Sequence, residues 1–98
     1  VGGSSSLRRI QGRQNIVSER IAIARRLTDP TVTFAQISAL AKERTGYVIT
    51  INALIKIELG IRPVYDFEVV AISAALNIPV AFLLGVSEDS SQPLPESQ

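Results

Sequence analysis

The side chains on which this chain could run a reaction are few. Its 98 residues include no His, Cys, Met or Trp. That removes disulfides, thiolate sites, the usual zinc ligands, and the Ser–His and Cys–His nucleophile pairs. The nine acids show no calcium-loop spacing, so no metal ligand set is expected. Tyr47, Tyr65, Lys42 and Lys56 have no acid or base at a meaningful spacing, and no Gly-rich phosphate loop is present. The chain therefore reads as a non-enzyme, with no cofactor and no small-molecule substrate.

What remains is charge, and it is unevenly placed. Residues 7–87 hold all ten bases against six acids, a charge of +4, while residues 88–98 add Glu88, Asp89 and Glu96. A basic folded part with an acidic tail can rest on phosphate but does not require it. Twelve Ile, ten Ala, nine Val and nine Leu against five aromatics predict an aliphatic core. The length suits one small domain. No apolar run approaches the roughly 18 residues of a membrane span.

Those bases must be positioned by helices, because the pattern is helical nearly throughout and predicts five short helices with no strand. Ser18 is the expected N-cap of the first, with Ile21, Ala24 and Leu27 inward and Asp29-Pro30 beyond its end. Thr33 caps a second whose stripe is Ile37, Leu40 and Ala41, running to about Arg44 before Thr45-Gly46. Tyr47, Val48 and Ile49 cross over to Thr50, the cap of a third helix closed by Gly60. Asp66 is the expected cap of the fourth, with Phe67, Val70, Ala71 and Ala74 on one face and Ala75 and Leu76 closing the stripe; Asn77 ends it. Pro79 opens a short fifth helix stopped by Gly85.

The run Ile57-Glu58-Leu59-Gly60-Ile61-Arg62-Pro63, followed by Phe67 to Gly85 (FEVVAISAALNIPVAFLLG), resembles the XRE, or Cro/cI-type, helix-turn-helix family. The resemblance covers roughly Ser18 to Gly85. It implies a compact, all-α, five-helix, lambda-repressor-like domain that binds double-stranded DNA for a bacterial or phage-type transcriptional regulator. Such a regulator is cytoplasmic and dimeric on DNA, a homodimer. By the same resemblance, Thr33 to about Arg44 is the scaffold helix and about 50–58 the recognition helix, lying in the major groove. Glu58 pairs with Arg25 in a structural ion pair, and Thr33, Thr50 and Arg62 meet phosphate. The expected organisation is a scar and basic arm over 1–17, flexible or partly helical, the domain over 18–86, and a disordered acidic tail over 87–98. Val1 to Ser6 read as a scar or clipped terminus, and Arg8, Arg9 and Arg13 as a minor-groove arm or a solvated tail.

Several positions depart from the family pattern. Phe34 stands where Gln is common, and Ile51 and Ile55 occupy recognition-helix positions that are usually polar. Asn52 and Lys56 are left to reach base edges, Asn suiting adenine and Lys guanine, while Ile touches only a thymine methyl. Phe34, Ile51 and Ile55 together would form an apolar patch. Hence a second reading, in which a diverged or engineered helix-turn-helix fold serves as a protein-interaction or dimerisation module through that face. Fourteen positions separate Ile37 from Ile51, more than compact family members use, so the scaffold helix and its turn are lengthened. Two uses of the added length stay open. The turn folds back so that Tyr47, Val48 and Ile49 cover Ile51, or Lys42 and Arg44 extend a phosphate-binding surface.

Overall fold

The computed structural model describes residues 12–91. The expectations for Val1 to Ser6, for Arg8 and Arg9, and for the tail from residue 92 lie outside them. Among the described residues there are five helices and no strand: α1 (Ser18–Arg26), α2 (Phe34–Thr45), α3 (Ile51–Leu59), α4 (Asp66–Leu76) and α5 (Val80–Leu83). The most extensive packing is α2 on α4. α3 lies on α1 and α2, and α5 closes the core against α4 and α1.

The helix starts and stops follow local chemistry. Thr33 Oγ1 accepts from the Gln36 amide at 3.1 Å while Gln36 Oε1 accepts from the Thr33 amide at 2.8 Å, a reciprocal cap for α2. Thr50 Oγ1 accepts from the Ala53 amide at the start of α3. Gly46 and Gly60 close α2 and α3 in the left-handed conformation, and Asn77 closes α4 the same way. Between α2 and α3 the chain is extended, and Ser38 Oγ donates to the Ile49 carbonyl at 2.7 Å. Ile49 is thereby plugged into the core.

Two helix faces differ from expectation. In α1 the cap is Val17, not Ser18. Ser18 is buried and its hydroxyl accepts from Arg13 at 2.9 Å. The inward face is Val17, Ile21 and Ala24, one turn earlier than expected, while Leu27 follows the helix and is 59% exposed. The reason lies in the segment before it. Asn15 Oδ1 accepts from the Val17 amide, and Asn15 Nδ2 donates to the carbonyls of Ile57 and Arg62 at 3.0 and 2.9 Å. Gln14 N–H donates to the Gly60 carbonyl at 2.7 Å. The lead-in from Arg13 to Val17 is therefore tied to the end of α3, and the ordered core begins before Ser18.

In α4 the inward face is Glu68, Val69, Ala71, Ile72, Ser73, Ala75 and Leu76. Phe67 and Val70, expected inside, are on the surface. The N-cap is Tyr65; Asp66 is the first helical residue, and its carboxylate accepts from the adjacent Phe67 amide. Glu68 serves the cap instead, its carboxylate accepting from the Tyr65 amide at 2.9 Å. α4 is apolar on nearly every side, so helical periodicity does not set its rotation.

Gly60 and Gly46 share a positive φ (77° and 78°) but differ in surroundings. A Cβ on Gly60 would lie 2.8 Å from Cγ and 2.9 Å from Cβ of Arg13, whereas nothing lies within 4 Å at Gly46. Gly46→Ala is expected to cost about 1 kcal/mol for the left-handed backbone, and Gly60→Ala roughly twice that because Arg13 must also move. Urea unfolding of the two variants checks this. Equal losses would show that the lead-in is not packed on α3.

Candidate nucleic-acid interface

The residues singled out on the chain divide into three groups in space. The first group is exposed and uncommitted. Asn52 and Lys56 are both exposed on α3 and, four residues apart, share one face. Beside them Ile51 is 45% exposed, while Ile55 is half-buried. Thr33 and Thr50 stand exposed at the starts of α2 and α3, where unpaired backbone amides and the helix dipole favour an anion.

The second group is structural. Arg25 Nε approaches Glu58 Oε2 to 3.1 Å, but off the N–H direction, so the contact is an ion pair without a directed hydrogen bond. The same guanidinium lies 4.1 Å from the centre of the Phe34 ring. Arg25 thus joins α1 to the start of α2 and the end of α3. Phe34 is half-buried beneath it, and the expected patch of Phe34, Ile51 and Ile55 shrinks mainly to Ile51.

The third group consists of bases expected at phosphate that the fold engages elsewhere. Arg44 Nη1 donates to the Ala74 carbonyl at 2.7 Å, at the C-terminus of α4, where a cation is favourable. Arg62 forks onto Glu68, Nη1 to Oε1 at 3.0 Å and Nη2 to Oε2 at 2.9 Å, and also donates to the Pro63 carbonyl. Glu68 is buried, so this is an anchor for the loop between α3 and α4. Of the two uses of the lengthened turn, the covering of Ile51 is not realised; on the other side of the choice, Arg44 is engaged by α4 while Lys42 stays exposed. Ile51 stays exposed, Val48 is exposed, Tyr47 packs at a tilt against Phe67 with ring centres 5.0 Å apart, and Arg44 turns to α4.

Sequence reasoning missed Asn15 and Glu68. Glu68 had a readable signal, three residues after Tyr65 at the spacing of a reciprocal cap; Asn15 had none. Also missed was Arg20, which packs over the Phe82 ring at 4.7 Å, donates to the Ser87 carbonyl at 3.2 Å and pairs with Glu88 at 2.8 Å. The first residues after α5 are thereby held against α1.

Among the described residues no cluster of three or more acids could hold a metal ion. A cleft of about 440 Å³ opens between α1 and the end of α3. Of its charged walls, Arg13 pairs with Glu19 at 3.8 Å and Glu58 with Arg25, while Arg26 is exposed. Among the described residues no helix is long and apolar enough to cross a membrane. Comparison of the chain with family models, with curated proteins and with solved structures finds no match.

The Glu68 site has a pH signature. Burial pushes its carboxyl up, but the Arg62 guanidinium, the Tyr65 amide and the Tyr47 hydroxyl outweigh this and hold it below the ordinary carboxylate range. A carboxyl with a lowered folded-state pKa contributes fully above its unfolded value, about 4.3 for Glu, and loses that contribution as pH falls through the folded value. Glu68→Gln is expected to cost about 2–3 kcal/mol at pH 7. The gap between the two proteins should begin to narrow only below about pH 4 and keep closing as the pH falls further. Urea midpoints measured from pH 7 to pH 3 check this, and a gap independent of pH would remove the ion pair as its source.

Proposed function

We propose that this chain is the DNA-binding domain of a bacterial or phage-type transcriptional regulator, a lambda-repressor-like helix-turn-helix of the XRE type. In this reading α2 is the scaffold helix, and α3 lies in the major groove of double-stranded DNA. Such a regulator acts in the cytoplasm and binds its operator as a homodimer. The observation that supports it best is the outward face of α3. There Asn52 and Lys56 stand exposed side by side, next to an α2–α3 pair whose two N-termini are both capped and exposed. Asn52 suits an adenine edge, Lys56 a guanine edge or a phosphate, and Ile51 a thymine methyl. Thr33 and Thr50 mark backbone amides for phosphate. Arg62 and Arg44 act mainly by fixing the loop and α4 that hold this surface, since both are engaged within the chain.

The alternative, a protein-interaction module working through Phe34, Ile51 and Ile55, has less support. Phe34 lies under Arg25 and Ile55 is half-buried.

Binding to a random duplex is expected to weaken steeply with salt, with a slope of about −0.9 per phosphate neutralised. Lys56→Ala should make that slope shallower by about one unit if Lys56 meets phosphate. Asn52→Ala should leave the slope alone and reduce preference for a selected site by about 1–3 kcal/mol. Fluorescence anisotropy across a salt series measures both. Absence of binding at low salt would overturn the reading.

A further inference from the structure

α4 is built inside out. Its only charged residues are Asp66 and Glu68, and Glu68 is turned into the core. Beyond Asp66 the face left to solvent is therefore apolar. Phe67 is 51% and Val70 53% exposed, and Ala74 is partly exposed one turn further on. Tyr65, 58% exposed, extends the patch by stacking on Phe67 with ring centres 5.4 Å apart. A helix that is apolar all round is one covered all round in the working assembly, and α2 and α5 cover only its inner side.

We propose that the outer face of α4 is the contact with a second copy of this chain, the two α4 helices lying antiparallel across a two-fold axis beside Val70. Two features of the face fit this occupant and this direction. The first is size. Tyr65 and Phe67 make the N-terminal end of the stripe bulky and Ala74 makes the other end small, so antiparallel pairing sets large against small at both ends. The second is charge. Asp66 is exposed at the N-terminus of α4, with no ion pair among the described residues. Arg44 is held at its C-terminus by the carbonyls of Ala74 and Ala75. Antiparallel pairing brings Asp66 of each copy to Arg44 of the other, and opposes the two helix dipoles. A parallel pair would set Asp66 against Asp66 and Phe67 against Phe67. The outward face of α3 takes no part, so the dimer leaves Asn52 and Lys56 free.

Sedimentation of the full chain over a concentration series is expected to show a reversible dimer. Val70→Lys should weaken it about a hundredfold or more, by burying an unpaired charge, with an unchanged circular dichroism spectrum. Ile51→Lys should leave it intact. The charges are tested by mixing. Asp66→Lys alone and Arg44→Glu alone should each self-associate poorly, because each sets like charges together. An equimolar mixture should form heterodimers with both pairs opposite in sign. Should Arg44→Glu loosen α4, single cysteines settle the matter, since the chain has none of its own. Val70→Cys should oxidise to a covalent dimer faster than Ile51→Cys. A wild-type chain that stays monomeric at every concentration would overturn the proposal. So would a dimer abolished by Ile51→Lys but not by Val70→Lys, or faster cross-linking at position 51.

Discussion

A carboxylate sealed under a helix and forked onto an arginine sets much of this molecule's geometry. Glu68 accepts two bonds from Arg62 and one from the Tyr65 amide, and Tyr47 Oη lies 3.4 Å away. These contacts fix the loop after α3, the start of α4 and the beginning of the α2–α3 connection relative to one another. A buried carboxylate left without its cation would be strongly unfavourable, so rotations of α4 that separate the pair are disfavoured. With that rotation set, Val69, Ile72 and Leu76 enter the core, while Phe67 and Val70 turn to solvent.

A second polar junction meets the same loop from the side of α1. Asn15 holds the carbonyls of Ile57 and Arg62, and Arg25 joins Phe34 to Glu58. Both junctions grip the C-terminal end of α3, which leaves the opposite, N-terminal half free to present Ile51 and Asn52. The bases are accordingly divided. Arg13, Arg20, Arg25, Arg44 and Arg62 hold the fold together, and Arg26, Lys42 and Lys56 stand out from it. A net charge counted along the chain does not separate these roles, because an arginine engaged by a carboxylate or by helix carbonyls offers little to a phosphate.

How far the sequence was legible follows from the range of the interactions. The limits of α2 and α3 were readable because Thr33, Gly46, Thr50 and Gly60 act on backbone groups within a few residues of themselves. The Arg25–Glu58 pair came only through resemblance, since nothing local links positions 33 residues apart. The cap of α1 was misplaced by one residue because Asn15, which supports Val17, itself depends on α3. The face of α4 was misread because apolar residues surround the helix, and the partner that takes Glu68 inside lies across a loop.

By itself, then, the sequence determined a helical fold with an aliphatic core over the described residues, the starts and stops of α2 and α3, and the absence of His and Cys chemistry. These depend on composition and on contacts a few residues long. Which way α4 faces, which bases are free and which apolar side chains remain exposed were decided only by the tertiary structure. Each of those outcomes depends on where a side chain finds an opposite charge or an unpaired carbonyl, and those partners belong to other helices and loops.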